Sequence, residues 1–173
     1  EVMKEIGLYI HIPFCMRKCY YCDFISYENK LELIDEYVNK LKEEIKEELK
    51  NKEYLIKTIY IGGGTPSFVD SKYIIDILNT IKENSHNYNP EEITIEINPG
   101  TATKEKLKDY KNIGINRISI GLKEKNNELL VGTTKKSGIS CAFCIQRRKK
   151  KKFHGKMIPN AHTCIFPNIK NHS

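Results

Sequence analysis

Over its first 130 residues the chain alternates between two hydrophobic periods. Residues 6–12, Ile-Gly-Leu-Tyr-Ile-His-Ile, are a short, β-branched and mostly apolar run closed by Pro13, which predicts a buried strand opening into a loop. After a polar stretch, Ile34, Val38, Leu41, Ile45 and Leu49 fall three or four apart among Lys and Glu, the stripe of an amphipathic helix over residues 31–50. Residues 58–61 read as a second strand, stopped by Gly62-Gly63-Gly64. Ser71 is placed to cap a helix in which Tyr73, Ile74, Ile77, Leu78 and Ile81 share a face. A third strand, 93–97, ends at Asn98-Pro99-Gly100. Thr103 is placed to cap a short helix carrying Leu107 and Tyr110, with Gly114 to terminate it. Residues 117–122 predict a fourth strand and 126–130 the start of a helix. Continuous apolar strands alternating with helices predict a parallel sheet with helices outside, an α/β architecture.

From about Val131 the alternation stops, which divides the 173 residues into a core, 1–131, and a divergent tail, 132–173, expected to be disordered or aberrant. The formal net charge of +7 divides at the same place. No acidic residue follows Glu128, and ten of the 29 Lys and Arg lie in 133–173. The first 132 residues therefore hold 19 bases against 22 acids, a balance of −3, which argues against nucleic-acid affinity for the body of the protein. Mean hydropathy is −0.52, and no run reaches the roughly 18 apolar residues of a membrane helix. No apolar run precedes Gly7, so no secretory signal is expected, and the absent initiating Met leaves the true start open.

The cysteines carry the chemistry. Cys15, Cys19 and Cys22 form C-x3-C-x2-C at the end of the first strand, the edge of a parallel α/β sheet where ligands bind. An odd, tight trio is poor disulfide material, so reduced thiolates in a cytoplasmic compartment are expected. Three thiolates so spaced suit three corners of a [4Fe-4S] cluster, with one iron left open. Zinc, with His11 nearby, is the chemical rival, and three buried small hydrophobes are the plain alternative. The Gly62-Gly63-Gly64 turn lets the backbone approach a ligand and offers bare N–H groups. Glu96 is a carboxylate within an apolar strand: either it has a partner or it faces outward.

Tyr9-Ile-His-Ile-Pro-Phe-Cys15, Cys19-x-Tyr21-Cys22-Asp23-Phe24, the 61–67 glycine turn, Glu96 with Asn98-Pro99-Gly100, and the 114–123 stretch follow in one order. Together they resemble the radical S-adenosylmethionine (SAM) superfamily, in the branch containing oxygen-independent coproporphyrinogen III oxidase and the heme chaperone HemW. The resemblance covers residues 7 to about 130 and implies a partial (β/α)6 barrel, truncated after about four βα units and leaving an unpaired sheet edge. It implies that Cys15, Cys19 and Cys22 ligate a [4Fe-4S] cluster and that Gly63, Gly64, Thr65 and Glu96 contact SAM, with Tyr9 and Tyr21 close by. Aromatic packing is the plain alternative for both tyrosines. Asp23-Phe24 is similar to HemW, which implies heme as a further ligand, a heme-acceptor protein and an electron donor as partners. Oxidative decarboxylation of coproporphyrinogen III, with a porphyrin as substrate, is the alternative within the family, and an inactive cluster-binding fragment is another. Lys123 departs from the family's Gln at that place, and a lysine donates without accepting.

The tail resembles nothing in the family. Cys141-x2-Cys144 with His162 and Cys164 suggests zinc, and the basic run 147–152 suggests nucleic acid, which makes a zinc and nucleic-acid module the third functional class.

Overall fold

A computed structural model of the chain describes residues 3–16 and 26–121, and the backbone of 140–143 and 163–167. The elements in order are β1 (Lys4–Ile12), β2 (Phe14–Cys15), β3 (Tyr27–Glu28), α1 (Ile34–Leu49), β4 (Tyr54–Gly63), α2 (Ser71–Asn84), β5 (Asn87–Ile97), α3 (Lys104–Asn112), β6 (Arg117–Ile120), β7 (Ser140–Phe143) and β8 (Thr163–Pro167). The main sheet runs β7-β6-β5-β4-β1-β8. The four strands read from the sequence, β1, β4, β5 and β6, are its parallel centre.

The helices follow the hydrophobic stripes. All five apolar positions of α1, from Ile34 to Leu49, are buried, as are Ile74, Ile77, Leu78 and Ile81 of α2. They join one apolar cluster with Ile10, Ile59, Ile95 and Ile118 from the sheet. The strands differ from the expectation of burial on both faces. In β1, Ile6, Leu8, Ile10 and Ile12 are buried, whereas Gly7, Tyr9 and His11 between them are half-exposed. Side chains alternate across a strand, so the same period that seals one face on the helices gathers Tyr9, His11, Tyr60 and Glu96 on the other.

The helix caps were half legible. Thr103 caps α3, accepting the Lys106 N–H at 3.3 Å, and Gly114 follows that helix at φ +101. For α2 the cap is Asp70 rather than Ser71: its Oδ1 accepts the Lys72 N–H at 2.9 Å from extended backbone. Ser71 is the first helical residue and donates instead to Asp109 of α3 at 2.5 Å. Asp70→Ala is therefore expected to cost about 1 kcal/mol in urea denaturation.

The edges also differ from the expectation. β7 lies parallel to β6, and β8 antiparallel to β1, so neither outer strand of the parallel centre is unpaired. Runs of four and five residues are too short to show a period. The helix start at 126–130, Lys123, the basic run 147–152, Cys144 and His162 lie outside the described residues. Among the described residues no helix is long and apolar enough to cross a membrane.

Candidate functional site

The described candidates Tyr9, His11, Cys15, Gly63, Gly64, Thr65 and Glu96 stand toward the C-terminal ends of β1, β4 and β5 or in the loops that leave them, whereas Cys141 and Cys164 fall in β7 and β8 at opposite edges of the sheet. At the end of β1 the chain passes through Pro13 into β2, which pairs in parallel with β3. The Tyr27 N–H donates to the Pro13 carbonyl at 2.6 Å and the Asn29 N–H to that of Cys15 at 3.0 Å. Both ends of the cysteine loop are thus pinned. Cys15 is buried, its side chain a free thiol, and Cys19, Tyr21 and Cys22 lie outside the described residues.

The glycine turn is stitched to this loop. Gly64 N–H donates to the Ile12 carbonyl and Thr65 N–H to that of Phe14, each at 2.9 Å, while Gly63 N–H donates to Glu96 Oε2 at 3.2 Å. The expectation of bare N–H groups is therefore corrected: these three donors are satisfied within the protein, because the turn closes against β1 and β2. What the glycines admit is side chains. A Cβ on Gly64 would stand 2.8 Å from Cys15 Sγ, one on Gly62 3.1 Å from Glu96 Oε2, and one on Gly63 2.9 Å from the His11 ring. Gly63 also has φ +120, where other residues are strained. Thr65 turns its hydroxyl to Cys15, donating to Sγ at 3.6 Å.

Glu96 satisfies both of its readings: it lies half-exposed on β5 and is a partnered carboxylate. Tyr60 donates its hydroxyl to Oε1 at 2.6 Å, and Gly63 holds the other oxygen. The Tyr9 ring stacks on that of Tyr60, centroids 5.9 Å apart, and its hydroxyl is 3.1 Å from His11 Nδ1. Behind them the Tyr37 hydroxyl donates to the His11 carbonyl at 2.6 Å. Burial pushes Tyr37 well above the usual phenol range, so it stays a donor throughout the physiological range.

A second layer ties the β4 and β5 loops together. Ser67 is fully buried; its hydroxyl accepts the Asn98 N–H at 2.9 Å and meets the Thr101 hydroxyl at 2.5 Å. Lys106 of α3 donates to the Ser67 and Val69 carbonyls at 2.7 and 2.9 Å, and burial pulls its ammonium below the ordinary lysine range. Tyr60, Ser67 and Lys106 were missed from the sequence. Only Tyr60 carried a signal, as a hydroxyl-bearing ring two positions before Gly62 in an aliphatic strand.

The arrangement places one thiol, one oriented carboxylate and an aromatic pair around a tightly packed turn. The chain is similar to proteins of a known family. The Radical SAM superfamily matches residues 9–139. The heme chaperone HemW of Buchnera aphidicola from Schizaphis graminum is 46% identical over 130 residues, covering 74% of this chain and 35% of that protein. HemW of Escherichia coli is 40% identical over 132 residues, covering 74% and 34%. Among solved structures, coproporphyrinogen III oxidase (HemN) from Escherichia coli, a radical SAM enzyme, superposes with a TM-score of 0.64 at 27% identity, covering 73% of this chain and 30% of that one. The chain spans about a third of the length of these relatives.

Proposed function

We propose that this chain, which belongs to the radical SAM superfamily, holds a [4Fe-4S] cluster on Cys15, Cys19 and Cys22 and binds SAM beside it, as part of a heme chaperone resembling HemW. The observation that carries the proposal is the junction of Cys15 with the glycine turn: thiol, Gly64, Thr65 and Glu96 meet at one sheet edge.

The one described member of the donor set suits the cluster. Cys15 offers a buried sulfur on a strand end whose loop is pinned at both sides, and soft thiolates are the ligands such clusters take. When bound, the cluster supplies one-electron chemistry to SAM, which the protein itself has no group to perform. The residues of this chain bind and orient. Thr65 donates to the ligating sulfur, the kind of hydrogen bond that raises a cluster's reduction potential by stabilising added negative charge. Thr65→Val, nearly the same volume without the hydroxyl, is expected to lower the potential while leaving iron content unchanged, as read by redox titration. Glu96 offers an oriented carboxylate to a cationic group of SAM, with the Tyr9 ring stacked on its partner Tyr60, and the resemblance implies Tyr21 as a further contact.

Heme is proposed as the molecule carried, from the named activity of the relatives, with a protein acceptor and an electron donor as partners in the cytoplasm. Likeness to coproporphyrinogen III oxidase favours porphyrinogen oxidation as the second reading. The two separate on the bench. Heme chaperone function predicts that the anaerobically reconstituted chain shifts the absorbance of added hemin and leaves coproporphyrinogen III unchanged in the presence of SAM and reductant. Decarboxylated product would favour the second.

A further inference from the structure

We propose that Tyr60 is a positioning residue for Glu96, fixing the carboxylate in the one orientation that receives SAM; this rests on the reading of Glu96 as a SAM contact. The Tyr60 hydroxyl donates to Oε1 at 2.6 Å, and the Gly63 N–H occupies Oε2 at 3.2 Å. A carboxylate's last torsion is broad and two-fold, so a single donor leaves it free to rock. Two donors on different oxygens remove that freedom and still leave acceptor sites on both oxygens for a ligand.

Tyr60 is itself held. Its ring lies nearly parallel to that of Tyr9, with 18° between the planes and 5.9 Å between centroids. A Cβ on Gly62 would stand 2.8 Å from Tyr60 Cε1 and 3.1 Å from Glu96 Oε2. A side chain there would push ring or carboxylate away from where they meet across the neighbouring strands. The register makes the pairing: Tyr60 lies opposite Tyr9 on one side and Thr94 on the other, with Glu96 two residues further along the same face. Stack, glycine gap and hydrogen bond thus point one phenol at one oxygen. A site ordered before its ligand arrives loses less on binding.

Tyr60→Phe keeps the stacked ring and removes only the donor. In the full chain, anaerobically reconstituted, its SAM affinity by calorimetry is expected to fall about tenfold, the order of one hydrogen bond to a charged group. Bound iron should be unchanged. The decisive comparison is the same substitution in a Glu96→Ala background, where Tyr60 has no carboxylate to position and Y60F should cost nothing further. An equal loss in both backgrounds, no loss in either, or loss of the cluster itself in Y60F would overturn the inference, while E96A weakening SAM would leave the site reading standing. If E96A and the unaltered chain bind SAM alike, the reading of Glu96 fails first and the role of Tyr60 with it.

Discussion

Cys15→Ser is expected to abolish reconstitution of the cluster while leaving the fold in place. Serine is close to cysteine in volume and so should pack into the buried site, although its shorter C–O bond gives up the Thr65 contact to sulfur. The thiolate is lost with it. Losing a ligand removes a metal–sulfur bond outright, and the fall in iron retention should exceed the roughly 10–100-fold that follows loss of an outer-shell partner. Iron and sulfide per chain, measured after desalting, check this, with far-ultraviolet circular dichroism as the control for folding. Full cluster content in C15S would remove Cys15 from the ligand set.

Gly64→Ala is expected to destabilise the fold and disturb the cysteine site together. The added Cβ would stand 2.8 Å from Cys15 Sγ, 2.9 Å from the Phe14 carbonyl oxygen and 3.0 Å from the Pro13 carbonyl carbon. Two of these are backbone atoms and have no rotamer to escape into. The turn must then retreat, stretching the Gly64 and Thr65 N–H bonds that stitch it to Ile12 and Phe14. Overpacking of this kind costs about 1–3 kcal/mol, and here it also displaces the sulfur that the cluster needs. Gly100→Ala is the control, since its Cβ meets only Asn98 Oδ1 at 3.5 Å, an ordinary contact on an exposed turn. Urea denaturation should show a loss for G64A and a change within about 0.5 kcal/mol for G100A. Equal midpoints for the two would mean that the turn yields without consequence.

Local periodicity made much of this molecule legible in advance. The stripe Ile34, Val38, Leu41, Ile45 and Leu49 is a property of one helix, and all five came out buried. Each predicted apolar run likewise fell on one of the four parallel strands. However, β4 begins at Tyr54 and runs into Gly63, and β5 begins at Asn87, because ladder pairing with β1 and β4 extends them through flanking positions that carry no period of their own. The order of the cysteine, glycine, glutamate and Gly114 motifs pointed to the superfamily that matches residues 9–139. What stayed hidden depends on which strand lies beside which. The glycine N–H groups looked bare because the carbonyls of Ile12 and Phe14, fifty residues away, cannot be assigned to them without the β1–β4 register. Tyr60 looked like one more apolar strand residue until β5 brought Glu96 alongside. Lys106 sits four residues before the buried Tyr110 on a short, polar helix, and only the packing of α3 shows where its ammonium goes. Asp70 and Ser71 are both good caps, and the choice between them fell to Asp109 on another helix.

The central claim is that Cys15, the glycine turn and Glu96 form one working cofactor site. It is tested most directly by electron paramagnetic resonance of the anaerobically reconstituted, reduced chain with and without SAM. The account predicts a [4Fe-4S] signal that changes on adding SAM and loses that response in Glu96→Ala. A cluster signal indifferent to SAM, or no cluster at all, would contradict it.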